Sequence, residues 1–263
     1  MRLILKNISS SPGIYLFFNS KKELIYVGKA SSLKNRVRSY FVGKKSPRPI
    51  EEMIHEVAEV KYITTDSLLE AVIMEGRYIK KFHPRYNIKW RDDKSWNYLI
   101  ITKDKYPRVE TAREHELNLA GQAASKRWAY VFGPFPGLNT KEALRILRKI
   151  FLFSDCQPAQ GKPCFHYQLG QCLGVCINEI SPKNYVKKTI RPLISFLQGK
   201  KKSVIKNFTK QMKEASRVEN FEEAGRLRNQ INALQKIQDS TLLNINFLRE
   251  TTTSKSQPLR IEG

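Results

Sequence analysis

Acidic residues are scarce in this chain. Over 263 residues, 24 Asp and Glu meet 47 Lys and Arg, which leaves a net charge of +23 at pH 7. An imbalance that large argues against a cationic partner and for a polyanion, of which phosphate backbones are the commonest large example. By itself it fits a ribosomal-type binder as well as an enzyme. Long apolar runs are missing too. None approaches the roughly 20 residues needed to cross a bilayer. The apolar run in the opening MRLILKNISSSPGIY is also too short for a secretory signal. A cytoplasmic protein without membrane contact is expected. Cysteine is sparse and confined, with four residues all between Cys156 and Cys176. In a reducing compartment such a cluster points to metal or redox work before structural disulfides. There is no internal repeat and no long low-complexity run, and the hydrophobic fraction of 41% is ordinary and sufficient for a core.

What is present alternates strand and helix signals over the first ninety or so residues. GIYLFFN (Gly13–Asn19) and ELIYVG (Glu23–Gly28) are short runs rich in β-branched and aromatic residues around a polar turn at Ser20–Lys22, a hairpin pattern. Ser31 or Ser32 can cap a helix running through Tyr40, Ile50–Val57 has helical periodicity, and Val60–Thr65 reads as a strand. Asp66 then caps a long amphipathic helix, LLEAVIMEGRYIKKF, whose Leu69, Val72, Ile73 and Ile79 share one face before Pro84 stops it. These signals predict a small mixed α/β (α+β) domain over residues 1–95. Further strands are predicted in NYLIIT, RVETA and WAYVFGPF, and a helix over Lys141–Phe153 leads into the cysteine segment, giving a linking α/β region over 96–180. From Ser181 to about residue 245 the pattern is helical and basic, with a polar tail over 246–263.

Several chemically capable residues fall within the first domain. Tyr15 and Tyr26 sit on the two hairpin strands, Lys29 follows the second, and Arg36 and Tyr40 are four apart on one helix face. Glu75 lies on the long helix and Asn87 just beyond it. Phosphodiester hydrolysis needs an activated water, a metal to neutralise developing charge, a cation on the phosphate and help for the leaving oxygen. One carboxylate with tyrosines, Arg and Lys supplies that set. Singly, each has a plain explanation, because strand tyrosines usually pack across strands and a lone helix Glu is usually solvated.

Taken in order, the GIY of Gly13–Tyr15, YVGK of Tyr26–Lys29, LKNR ending at Arg36 with Tyr40 after it, EAVIME ending at Glu75, and PRYN ending at Asn87 resemble the GIY-YIG nuclease family. Within that family they resemble the UvrC repair nucleases, and RDDKS at residues 91–95 adds to that likeness. The second motif reads YVG in place of YIG, a change that removes no functional side chain. The resemblance implies that Glu75 holds a single divalent metal, magnesium or manganese. It also implies that Tyr26 or Tyr15 assists deprotonation of the attacking water, that Arg36 and Lys29 grip the phosphate, and that Tyr40 and Asn87 orient the site.

Cys156, Cys164, Cys172 and Cys176 are separated by seven, seven and three residues. Four thiolates in so short a segment can close around zinc or an iron–sulfur cluster, and their spacing lacks the paired C-x-x-C of a zinc ribbon. The UvrC resemblance implies a 4Fe–4S cluster, with zinc as the alternative. In the last helical stretch Val218, Phe221, Ala224, Leu227, Ile231 and Leu234 recur at helical spacing, the pattern of one half of a helical hairpin. Phe221, Ala224, Leu227, Arg228 and Ile231 resemble the UVR motif, which implies docking on UvrB. Gly225 and Asn229 depart from that motif's usual Ala and Asp, and Gly within a helix costs roughly 1 kcal/mol, so a marginal hairpin that firms on binding is expected. Pro258–Gly263 resembles the opening of an RNase H-like domain, which implies a chain that stops before a second nuclease and a helix-hairpin-helix clamp.

The function these features imply is magnesium-dependent incision of damaged double-stranded DNA on the 3′ side of a lesion, in complex with UvrB. One rival is a catalytically silent DNA- or UvrB-binding adaptor, which has no need for the Glu75, Arg36 and tyrosine set. Another is a homing or restriction nuclease with the same core, which would lack the cysteine cluster and the UVR-like helix.

Overall fold

A computed structural model describes residues 8–42, 48–89, 96–117 and 127–237. The RDDKS stretch and the tail from residue 238 onward lie outside the described residues. The first sheet has the order β2-β1-β3, with β1 (Gly13–Phe18) paired antiparallel to β2 (Leu24–Ala30) and to β3 (Glu59–Thr64). The β1–β2 turn is organised by Asn19, whose Oδ1 accepts the backbone N–H groups of Lys21 and Glu23, an Asx-type turn.

β1 is buried on both faces, and its alternation divides two cores. Ile14 and Leu16 face one side, toward α3 (Leu68–Phe82). Tyr15 and Phe17 face the other, with Leu33 and Val37 of α1 (Leu33–Phe41) and Met53 of α2 (Arg48–Glu56). Burying a side chain such as Phe17 contributes about 1.5–3 kcal/mol. The chain after α3 continues through α4 (Arg85–Lys89).

α3 starts one residue later than the sequence suggests. Its N-cap is Ser67, not Asp66: Ser67 Oγ accepts the Glu70 N–H at 3.2 Å and donates to Glu70 Oε1, a side-chain N-cap. Asp66 instead pairs with Lys201 Nζ at 3.1 Å. The helix ends at His83 in the left-handed conformation, φ 45°, just before Pro84.

The second sheet has the order β5-β4-β6, all antiparallel, formed by β4 (Trp96–Thr102), β5 (Val109–Arg113) and β6 (Trp128–Pro136). α3 packs against β6 at Gly76, where a Cβ would stand 2.4 Å from the Pro134 carbonyl oxygen. Only a residue without a side chain allows that approach. α5 (Thr140–Phe151), capped by Asn139, leads into the cysteine segment and the short α6 (Phe165–Gln168). Tyr185 fastens this segment to the second sheet, since its hydroxyl accepts from Ser154 N and donates to Pro107 O.

The remaining chain is helical: α7 (Pro182–Tyr185) runs through a π turn at Val186–Ile190 into α8 (Arg191–Leu197), followed by the hairpin of α9 (Lys201–Arg217) and α10 (Phe221–Gln235). One continuous apolar cluster joins α3, the second sheet, α5 and these helices, from Ile14 to Leu234. Among the described residues no helix is long and apolar enough to cross a membrane.

Candidate active site

An open pocket at the end of the β1–β2 hairpin is lined by Tyr15, Tyr26, Lys29, Arg36, Glu75 and Asn87. These residues are scattered widely in sequence, and five elements bring them together. β1 and β2 supply the tyrosines and Lys29, α1 supplies Arg36, α3 supplies Glu75, and α4 supplies Asn87. Tyr40 stands behind the pocket, with its hydroxyl 2.8 Å from that of Tyr15 and its ring under the Arg36 guanidinium at 5.1 Å. Gly28 explains its place in the motif by space, because a Cβ there would collide with the Tyr15 hydroxyl.

Glu75 is the one charged residue on the buried face of α3, 4% exposed. Its Oε2 meets Lys29 Nζ at 2.7 Å and its Oε1 accepts the Lys29 backbone N–H at 3.1 Å. Burial pushes the carboxyl above the ordinary carboxylate range, and Lys29 opposes that shift without cancelling it. Burial likewise drives Tyr15 and Tyr26 well above the usual phenol value, so both hold their protons at neutral pH. Tyr15 and Tyr40, against the cost of burial, strengthen the hold of Arg36 on its charge. Asn87 spends its amide on the free edge of β2: Oδ1 accepts Val27 N–H and Nδ2 donates to Val27 O, each at 2.8 Å. That fixes the strand one residue after Tyr26.

The donor set fits a hard divalent cation, for which one carboxylate at a water-accessible pocket is an ordinary anchor. Glu75 already holds one cation, the Lys29 ammonium, in a pocket whose other charged groups are basic. Two groups of contributors are not apparent from the motifs. Lys29 Nζ also donates to the Pro136 carbonyl at 2.7 Å, and Pro136 and Gly137, from the end of β6, wall the pocket. Nothing local in the sequence signals a contact across 107 positions. Ser32, Asn35 and Ser39 line it too. They recur at helical spacing with Arg36, a polar stripe that was legible in principle.

In the cysteine segment, Sγ atoms of Cys156, Cys164 and Cys176 lie within 4.8 Å of one another. Cys164 N–H donates to Cys176 Sγ at 3.3 Å, and Ser154 Oγ lies 2.8 Å from Cys156 Sγ. Burial pushes the Cys156 thiol up to about 12, a balance that a cation among the sulfurs would invert. Such a group fits a thiolate-bound metal. The expected fourth member does not join it: Cys172 is buried and in electrostatic reach of the Tyr185 hydroxyl.

On α10, Phe221 is 68% exposed and Arg228 is exposed, while Ala224 and Ile231 are half-buried. Leu227, expected on a docking face, is 2% exposed and packs into the chain's own core. The hairpin is held by the Asn220 cap, by the Lys188–Glu223 pair, and by Gln230, whose Nε2 donates to Ile150 O at 2.6 Å.

Comparison with known proteins gives three domain matches in order: a UvrC-like GIY-YIG domain over residues 11–88, a UvrC/Cho excinuclease middle domain over 96–196, and a UvrB/uvrC motif over 202–237. The chain belongs to the UvrC family. It is 37% identical over 248 residues to UvrABC system protein C of Pseudoalteromonas translucida, covering 92% of this chain and 39% of that one. With the same protein of Carboxydothermus hydrogenoformans it shares 41% identity over 238 residues, covering 88% and 38%. The chain thus spans about two fifths of the length of these UvrC relatives. Among solved structures, the GIY-YIG N-terminal endonuclease domain of UvrC from Thermotoga maritima, bound to magnesium, is similar at 35% identity. That match covers 33% of this chain and 93% of that one, with a TM-score of 0.30.

Proposed function

We propose that the Glu75 pocket hydrolyses a DNA phosphodiester on the 3′ side of a lesion, within a complex of damaged duplex and UvrB. The observation that carries this reading is the convergence of Tyr15, Tyr26, Lys29, Arg36 and Glu75 on one open pocket of a strongly basic chain. Glu75 anchors a magnesium or manganese ion. When bound, that ion supplies charge neutralisation at the phosphoryl oxygens and lowers the pKa of coordinated water. Arg36, held charged between two phenols, meets the anionic phosphate, and Lys29 shifts from Glu75 toward the same charge. Because burial keeps Tyr15 and Tyr26 protonated, they act as hydrogen-bonding groups that orient the attacking water, whose proton leaves to solvent at the open pocket, and not as standing phenolates. Tyr40 fixes Tyr15, and Asn87 fixes the strand that carries Tyr26 and Lys29.

The exposed tip of the C-terminal hairpin, Val218 and Phe221, is the surface offered to UvrB, with Arg228 beside it. For the cysteine segment the reading is a 4Fe–4S cluster, supported by three converging thiols with Cys172 nearby in sequence but outside the group, and with zinc as the alternative. Iron, sulfide and zinc analysis of the purified chain and of Cys172→Ser separates the two.

Magnesium-dependent incision of a lesion-bearing duplex preloaded with UvrB tests the central claim. Glu75→Ala should lower the rate on the order of 1000-fold while DNA and UvrB binding persist. Equal cutting by both proteins would place the chemistry elsewhere. No cutting by either would favour an adaptor.

A further inference from the structure

A second groove runs along the far flank of α3, and it differs from the first in lacking any carboxylate. Arg77 and Lys80 of α3, and Lys200 at the start of α9, supply its charge, and β6 supplies an apolar floor with Val131 and Phe132. All three cations are exposed, and none is in an ion pair with a described carboxylate. The neighbouring Lys201 shows the contrast, being neutralised by Asp66 and Glu70. The Arg77 guanidinium lies against Gly199, at φ +77°, where a Cβ would collide with Nη1.

β6 is an edge strand of its sheet, and of its aromatic residues Tyr130 is exposed, Phe132 half-buried and Phe135 buried. Tyr130 is 46% exposed and stacks on Phe132, with centroids 6.1 Å apart and planes at 14°. Unpaired cations beside a partly exposed aromatic pair form a combination that holds single-stranded nucleic acid, with phosphates on the charges and bases on the rings. The groove and the Glu75 pocket share no lining residue, but both border β6, on either side of the contact that α3 makes with it at Gly76. Pro136 and Gly137 wall that pocket, while Gly133 and Phe132 floor this groove. The five strand residues from Phe132 to Pro136, four steps of about 3.3 Å, span about 13 Å.

We propose that this groove is a DNA-binding subsite that takes the unpaired strand flanking the scissile phosphate, with Arg77, Lys80 and Lys200 on its phosphates and Phe132 under a base. The proposal deepens the nuclease reading and rests on it for the identity of the strand. Its test is independent of cutting.

The whole chain, in EDTA, is titrated with a short fluorescent oligodeoxythymidine over a range of salt concentrations. The triple variant R77A/K80A/K200A should bind about tenfold more weakly near 0.1 M salt. The slope of log K against log salt should flatten by about 2, since each single-strand phosphate neutralised contributes about 0.7. F132L should weaken binding and leave the slope unchanged, because it removes a stacking surface and no charge. Thermal midpoints equal to the parent's certify folding, and the triple variant, altered only at exposed positions, decides the matter if F132L is unstable. Unchanged affinity and slope in the triple variant would overturn the proposal. So would intact oligonucleotide binding with lost capture by UvrB, which would make the groove a protein-docking surface. Since EDTA removes the metal from every arm, a failure to incise in the Glu75 experiment and a failure of this groove give separate results.

Discussion

The Lys29–Glu75 pair places a functional charge where the fold alone would not tolerate it. Side-chain exposures of 11% and 5% put both charges largely out of water, and removing one partner of a buried pair leaves the other uncompensated, at a cost of about 3 kcal/mol. Lys29→Met alone, which leaves the buried carboxylate uncompensated, should therefore lower the thermal midpoint, whereas the double variant Lys29→Met/Glu75→Gln should recover most of it. Differential scanning calorimetry on the four proteins of that cycle reads the coupling, and additive losses would show that the two side chains do not interact. The direction of the Glu75 shift fixes a pH dependence. Its folded-state pKa is raised, chiefly by burial. Folding therefore favours the protonated form, and the stability linked to that form, present below the ordinary 4.5, is lost as pH rises through the raised value. Function requires the opposite form. Incision should fall on acidification through a limb lying above pH 4.5, and that limb should move to lower pH as magnesium is increased, because metal and proton compete for one carboxylate. A limb indifferent to magnesium would show that Glu75 is not the group titrating.

At the scale of elements, α3 does most to connect sequence with site. Its apolar stripe and the hairpin strands were legible from spacing, because each signal is local, whereas the set from Tyr15 to Asn87 stood out only through the family resemblance of its motifs. Its true cap was not. Asp66 and Ser67 are both good capping residues, and the choice between them follows from Lys201, 135 positions away, which draws Asp66 aside. The Pro136 contact with Lys29 and the absence of Cys172 from the sulfur group were hidden for the same reason, being set by tertiary packing and not by spacing. Gly76 is where that packing is tightest. Gly76→Ala must force α3 from the Pro134 carbonyl, and the expected loss is about 1–3 kcal/mol, read as a lower denaturant midpoint. Gly225 on α10 is the reverse case, since a Cβ there would meet nothing within 4 Å. Gly225→Ala should stabilise the hairpin by about 0.5–1 kcal/mol, visible as a higher midpoint by circular dichroism. A drop there would mean that the glycine serves a packing role the free chain does not reveal.

The molecule as a whole carries its C-terminal hairpin on the same core as its catalytic helix. Leu227 and Leu234 of α10 pack into the cluster that also holds Leu69 and Val72 of α3 and Leu99 of β4. Gln230 and Lys201 add polar ties to α5 and α3. The periodicity of Leu227 marked it as apolar but could not say whether the buried face met a partner or the chain itself, since both produce the same stripe. This shared core has a measurable consequence. Leu234 is fully buried, and Leu234→Ala should cost about 2–5 kcal/mol, the range for truncating a buried leucine. If the hairpin were an independent appendage, that loss would melt helix early and leave the sheets intact. With one core, far-UV circular dichroism and the fluorescence of Trp96 and Trp128, which sit on β4 and β6, should shift together to the same lower midpoint. Coincident transitions are the signature of a single cooperative unit, and separated ones would show that the hairpin unfolds without disturbing the sheet beside the Glu75 pocket.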